Sequence, residues 1–259
     1  MKKRVITAIG IVLFVLPPVL LGGWLLELLG IIVVATGCWE WLKVIEGSDK
    51  WFWRVYLPMV LWILGLYFLP LAGIQIPMLA YWIAGLVYFW TMPVFVPAFS
   101  QEACMKTLSL FVLFALTYLS MQLLMAEHKY LWTLVLATYG SDTGAYFAGR
   151  AFGKHKMCPA VSPKKTWEGF FGGWAAGFVL SFLMSMLYLS NMNPQLNFLL
   201  CLLAPVFAEL GDLCFSSYKR ALGLKDFSNL LPGHGGVLDR IDSLIMNFLL
   251  FGFLASIFL

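Results

Sequence analysis

The chain has 259 residues, 61% hydrophobic, 17% aromatic and 12% charged, with a mean hydropathy of +0.87. A soluble domain is about half apolar and about a quarter charged, so this chain has too little polar surface for a water-facing globule, and it is far too apolar for a disordered segment. The formal charge of +4 comes without the basic stripe a nucleic-acid binder needs. The five cysteines (Cys38, Cys104, Cys158, Cys201, Cys214) are odd in number and form no Cys-x-x-Cys, against both a disulfide framework and a zinc site.

Crossing a bilayer takes about 20 mostly apolar residues. In chain order, such runs are expected at 5–22, 24–43, 54–71, 77–94, 106–126, 130–150, 167–190, 197–216 and 243–259. The fold class is therefore an all-α integral membrane protein of about nine transmembrane helices, with no room for a separate soluble domain. The first run follows Met1-Lys2-Lys3-Arg4 but reads as a span rather than a signal peptide, because no small-x-small site follows and a second span begins almost at once. Trp39, Trp41, Trp51 and Trp53 crowd the ends of the second and third runs, where interfacial aromatics are expected. Pro93 and Pro97 act as a stop for the fourth. No internal repeat is visible, so the inverted-repeat signature of many transporters is missing.

A cytoplasmic N-terminus puts sixteen of the seventeen Lys and Arg residues in or beside the inside segments, from Lys2, Lys3 and Arg4 to Arg240, and leaves only Lys129 outside. That asymmetry is the positive-inside pattern, and it places the C-terminus outside. Residues 1–130 read as transmembrane scaffold. Residues 131–259 read as a catalytic transmembrane region with cytoplasmic loops 151–166 and 217–242, its polar site opening to the cytoplasmic leaflet.

Two constellations carry the chemistry. The first runs from Ser141-Asp142-Thr143-Gly144 to Ser162-Pro163-Lys164-Lys165-Thr166-Trp167-Glu168-Gly169. Asp142 lies inside an apolar run, where a carboxylate costs at least about 2.5 kcal/mol unless a partner or a cavity receives it. Gly149 to Lys154 is one residue short of a phosphate loop and lacks its Ser or Thr. The compact Ser-Pro-Lys-Lys-Thr, by contrast, places cations and hydroxyls just before a helix start, where free amides attract phosphate. Gly173 and Gly177 read as close helix packing.

The second constellation is denser: Gly211-Asp212, Ser216, Lys219-Arg220, Lys225-Asp226, Pro232-Gly233-His234-Gly235-Gly236 and Asp239-Arg240-Ile241-Asp242. Glu209 and Asp212, three apart, share one helix face, and two carboxylates there call for a compensating cation. Asp239 and Asp242 repeat that spacing, which on its own also suits a helix N-terminus. Hard carboxylates amid several cations suit magnesium, which takes one or two carboxylates plus substrate phosphates. His234, flanked by glycines, sits in a loop whose backbone can approach a ligand closely.

At these residues the sequence resembles the bacterial phosphatidate cytidylyltransferases, also called CDP-diacylglycerol synthases. The shared pattern is Ser216 to Arg220, Lys225-Asp226, Pro232 to Gly236 and Asp239 to Asp242 at unbroken spacing, with 141–146 and 162–169 upstream. The chain departs at Phe215, where the family commonly has an acid, and at Tyr218, where it commonly has an aliphatic residue or Phe. The resemblance implies that CTP and phosphatidic acid give CDP-diacylglycerol and pyrophosphate, with magnesium, in a bacterial inner membrane, and it leaves a homodimer open. It implies Asp212 and Asp239 as magnesium ligands, with Asp142 and Asp242 as further candidates. Lys219, Arg220 and Lys225 would neutralise the triphosphate, while Lys164, Lys165 and Arg240 hold the lipid phosphate or the nucleotide; Ser162, Thr166, Ser216 and His234 are further substrate contacts. Two other readings predict different products. A cation-coupled transporter built on Asp142, Glu209 and Asp212 would show ion-dependent uptake, and the nearer alternative is another membrane phosphotransferase, such as a CTP-dependent lipid-alcohol kinase or a polyprenyl-phosphate sugar transferase; kinase chemistry would release CDP, whereas nucleotidyl transfer releases pyrophosphate.

Overall fold

A computed structural model describes residues 2–188 and 192–259, with side chains for 6–187 and 192–259. Met1, the side chains of Lys2, Lys3 and Arg4, and the last residues of the seventh expected span lie outside the described residues. The chain forms α1 (Lys2–Leu21), α2 (Gly23–Lys43), α3 (Phe52–Leu71), α4 (Met78–Phe95), α5 (Gln101–Ala126), α6 (Lys129–Phe152), α7 (Trp167–Tyr188), α8 (Pro194–Ala221) and α9 (Leu238–Phe258). Between α6 and α7 lies a hairpin of β1 (Lys156–Cys158) and β2 (Ser162–Thr166), so the loop expected at 151–166 is not wholly irregular, and this hairpin is the one sheet among the described residues. The turn has Pro159 at its second position, and Val161 N–H donates to the Cys158 carbonyl at 3.1 Å, a Pro-started β-turn.

Among the described residues seven helices, α2 to α5 and α7 to α9, are long and apolar enough to cross a membrane. In α1 the apolar stretch is the shorter Ile6–Leu21. In α6 the polar Thr138, Ser141, Asp142 and Thr143 dilute the hydropathy. Large apolar side chains stand exposed along these helices, Phe95 at 76% and Leu21 at 73% among them, as a lipid-facing surface requires.

Helix ends are where the structure departs most from the expected runs. α8 begins at Pro194 because the Asn193 side chain accepts from the Gln195 and Leu196 amides, at 3.0 and 3.1 Å, with Pro at the first helical position. It continues to Ala221, where Gly223 at φ 69° closes it. Leu224 N–H reaches the Lys219 carbonyl and Gly223 N–H the Arg220 carbonyl, the paired bonds of a Schellman end. Lys219 and Arg220 are therefore helical rather than part of a 217–242 loop, while Ser216 lies in the helix as expected. α9 starts at Leu238, five residues before the expected 243, so Asp239, Arg240 and Asp242 sit on its first turns. Of the tryptophans expected at an interface, Trp53 is exposed, whereas Trp41 and Trp51 are core residues, Trp41 stacked on Phe227 and Trp51 edge-on to Phe99.

The contacts divide the chain into two compact units. One comprises 1–122 with 227–238, and its core is aromatic, built on Trp41, Trp51, Phe52, Phe89, Phe99, Phe111 and Tyr118. The Glu27 carboxylate, buried in α2, accepts from the Tyr118 hydroxyl and from Gln122 Nε2, at 2.9 and 3.0 Å for the latter. The other unit comprises 123–226 with 239–259. In it α6 and α7 run together closely, because glycines remove side chains from their interface. A Cβ at Gly173 would stand 2.7 Å from the Ser141 carbonyl oxygen, and one at Gly177 2.6 Å from that of Ala137. Buried Asn247 of α9 donates to Thr138 of α6 at 2.7 Å, a polar tie of the kind that joins helices in lipid.

Candidate functional site

The hairpin between α6 and α7 positions the first set of cations. Its base is clamped by Glu168, in the first turn of α7: the carboxylate accepts from the Lys154 and His155 amides at 3.1 to 3.2 Å and meets His155 Nδ1 at 2.6 Å. Thr166, buried at the end of β2, caps α7 by accepting from Gly169 N–H through Oγ1 at 3.2 Å. Between these fixed points β2 carries Lys164 and Lys165. Ser162 opens the strand opposite Cys158.

Lys165 meets the acids of α8. Its Nζ lies 2.5 Å from Glu209 Oε2 and 2.6 Å from Asp212 Oδ2. The shared helix face of those two carboxylates is thus real, and the charge compensating them in this structure is a lysine ammonium. Burial alone would lower the Lys165 pKa, but Glu209 and Asp212, through charge and hydrogen bonds, raise it above the ordinary lysine value. The ammonium is therefore fully charged at neutral pH. Asp212 Oδ1 accepts from the Ser216 hydroxyl, one turn along, at 3.3 Å.

Lys165, Glu209 and Asp212 line a cavity of about 360 Å³ together with Asp142, Tyr146, Arg150 and Lys164. Asp142, from the middle of α6, is exposed to it and lies within electrostatic reach of Glu209, Asp212 and Lys165. One wall is thus rich in carboxylates, while Arg150 and Lys164 are exposed cations of the same cavity. Arg150 and Tyr146 are lining residues to which sequence reasoning assigned no role of their own; Arg150 stands in the last turn of α6, four residues after Tyr146, and donates to its hydroxyl at 3.3 Å.

A second cluster joins the end of α8 to the start of α9. Lys219 Nζ is 2.6 Å from Asp239 Oδ1, with side chains only 8% and 3% exposed. Asp242 is buried and lies within electrostatic reach of Asp212, Lys219 and Asp239, so it links the two clusters. Gly211 makes this possible: a Cβ there would stand 2.7 Å from the Asp242 carbonyl oxygen and 3.0 Å from the Ser243 Cα. Arg240 is exposed on the first turn of α9 and shares the surroundings of Tyr139 with Asp142 and Asp242. Arg220 is exposed and donates to the Leu224 carbonyl at 2.6 Å, and Lys225 is exposed in the turn beyond.

His234 belongs to the other compact unit, in 227–238. Its segment is a tight turn in which Leu231 N–H donates to the Gly235 carbonyl at 2.9 Å and His234 N–H to that of Leu231 at 2.8 Å. Gly233 and Gly235 take φ of 79° and 82°, a left-handed conformation that glycine alone adopts freely.

Among the described residues no three His, Cys, Asp or Glu side chains form a ready metal cage. The donor set does fit a hard ion that completes its shell with substrate oxygens, because Asp142 and Asp212 reach one cavity beside cations suited to phosphate.

The model of the cytidylyltransferase family matches residues 2–258. A phosphatidate cytidylyltransferase of Pseudomonas aeruginosa is 38% identical over 258 residues, covering 94% of this chain and 93% of its own. One of Staphylococcus epidermidis is 45% identical over 115 residues, 44% of each chain. One of Haemophilus influenzae is 48% identical over 113 residues, 42% of this chain and 39% of its own. With a match running nearly end to end over a site of acids and phosphate-seeking cations, the chain belongs to the cytidylyltransferase family.

Proposed function

We propose that the protein is a phosphatidate cytidylyltransferase, which converts CTP and phosphatidic acid into CDP-diacylglycerol and pyrophosphate. The observation that carries the reading is the cavity in which Asp142, Glu209 and Asp212 stand with Lys165, Lys164 and Arg150, inside a chain matched almost throughout by the family. A phosphate monoester is already ionised near neutral pH, so the reaction needs no strong base. It needs two polyanions brought together in line, and the work is neutralisation and positioning.

The lipid phosphate oxygen attacks the α-phosphorus of CTP, a P–O bond forms, and the bond to the pyrophosphate oxygen breaks. Lys164 and Arg150, exposed in the cavity, hold phosphate oxygens. Lys165, tied to Glu209 and Asp212, keeps those carboxylates from repelling the incoming anions. Arg220 and Lys225, which are exposed, take the triphosphate and the departing pyrophosphate, joined by Lys219 once it leaves Asp239, and Arg240 takes the lipid phosphate or completes the nucleotide site. Magnesium would be held by Asp142 and Asp212, with Asp239 joining on exchange of its Lys219 partner; bound there, it supplies charge neutralisation between phosphate groups. Ser162, Ser216 and His234 supply hydrogen bonds to substrate, Thr166 holds the start of α7, and Asp242 orders the two clusters. The reading places nine spans in a bacterial inner membrane, N-terminus cytoplasmic and C-terminus outside, so that the basic hairpin faces cytoplasmic CTP.

The test uses detergent-solubilised protein with CTP and magnesium. Pyrophosphate release should require phosphatidic acid and should not occur with diacylglycerol. Release of CDP with diacylglycerol would identify a kinase and sink the assignment.

A further inference from the structure

We propose that Glu40 is a positioning residue for the transfer reaction: from α2 its carboxylate fixes the turn that carries His234 and the first turn of the helix that carries Asp239. The inference rests on the function proposed above and adds to it a residue outside every motif of the sequence. Glu40 is wholly buried, in the last turn of an apolar helix. Its bonds run to one short segment of chain. Oε1 accepts from the Ser228 hydroxyl at 2.6 Å and from Val237 N–H at 2.8 Å, and Oε2 accepts from Leu238 N–H at 2.8 Å.

Three features make this a cradle and not a chance contact. Val237 and Leu238 are the residues at which α9 begins, so the carboxylate takes amides that have no partner within the helix and places negative charge at the positive end of its dipole. Gly236 lies so close that a Cβ there would stand 2.5 to 2.7 Å from the Glu40 carboxyl atoms, so the chain passes directly over it. The same end of α2 holds the segment at two further points: Trp41 stacks on Phe227 at 5.8 Å between centroids, and a Cβ at Gly37 would stand 3.2 Å from Leu238 Cδ2. Both ends of the 227–238 segment are thus anchored on α2. His234 lies between the anchors, and Asp239 follows the second one directly in sequence.

Glu40→Gln keeps size and shape but turns one acceptor oxygen into a donor that faces backbone N–H groups. Steady-state kinetics with phosphatidic acid should show kcat/KM for CTP lower by about 10-fold to 100-fold, the range for residues that orient a site without touching the substrate. Glu40→Asp, which keeps both acceptors on a shorter arm, should recover part of that loss. Hydrogen exchange should rise by about tenfold or more across 227–242 and stay unchanged across 129–188, because only the capped segment is released. If Glu40→Gln does not fold, Ser228→Ala removes one donor and leaves the carboxylate, and faster exchange in 227–242 is expected of it too. Wild-type kcat, KM and exchange in the folded variant would overturn the inference, as would a loss of activity that tracks only the folded fraction while exchange in 227–242 is unaltered. No pyrophosphate from the wild-type protein would refute the assigned reaction instead, and the exchange data would then decide alone whether Glu40 fixes the segment.

Discussion

Lys165 and Lys219 show how one residue type serves two purposes in this site. Lys165 is bonded to two acids beside an open cavity, and since the Glu209 side chain is only 5% exposed, it serves to hold that acidic wall together while Lys164 and Arg150 stand exposed in the cavity. Lys219 is sealed against Asp239, both side chains being under a tenth exposed. Removing one member of such a pair strands a buried charge, so Lys219→Met should destabilise the folded protein by about 3–5 kcal/mol. The double variant Lys219→Met with Asp239→Asn removes the stranded charge and should regain most of that stability, but not activity. Thermal unfolding in detergent checks this; a double variant no more stable than the single one would show that the pair is not the source of the loss. The carboxylates, cations and His234 were legible in the sequence from their types and spacing. What could not be read was pairing: that Lys165 belongs to Glu209 and Asp212 depends on a hairpin whose formation no periodicity announces. Glu40 was missed for a different reason. Its signal was a lone carboxylate between Trp39 and Trp41 in an apolar run, and in a stretch otherwise without chemistry it passed for scaffold.

At the level of elements, apolar runs located the helices well because lipid leaves the backbone no alternative to internal hydrogen bonding. Their ends were harder. The apolar run of α8 fades near 216, yet the helix continues to Ala221 because Gly223 provides its stop, and it begins at Pro194 because Asn193 provides its cap. Those signals were present in the sequence as local capping chemistry rather than hydropathy. The start of α9 had only the acids Asp239 and Asp242 as a local signal, and these did not fix its first residue, since its cap is a side chain nearly two hundred residues away. Glycine spacing on α7 predicted close packing, and the α6 and α7 backbones do approach at Gly173 and Gly177. Gly173→Ala should therefore force the helices apart at a cost of about 1–3 kcal/mol, as overpacking does. The shift should also displace Ser141, whose neighbour Asp142 lines the cavity, and so lower kcat. A variant as stable and active as the parent would mean that the helices can part there freely.

For the molecule as a whole, composition decided the environment before any motif was considered, and the exposed apolar side chains of the helices agree with it. Orientation is a separate matter, set by charge across the loops. In a cysteine-free background, Lys156→Cys should react with a membrane-impermeant thiol reagent only from the cytoplasmic side, and Lys129→Cys only from the outside; the reverse pattern would invert the proposed topology. The placement matters to function, because CTP must reach the acidic and basic groups gathered at α6, α8 and the hairpin.

The most direct measurement follows both halves of the bond exchange at once. Solubilised protein is given phosphatidic acid, magnesium and CTP labelled at the α-phosphate, and label in the lipid phase is counted against pyrophosphate in water. Cytidylyl transfer at this site predicts one pyrophosphate for each labelled lipid, with both lost in Asp239→Asn. Labelled CDP in water with no labelled lipid, or full turnover in Asp239→Asn, would contradict it.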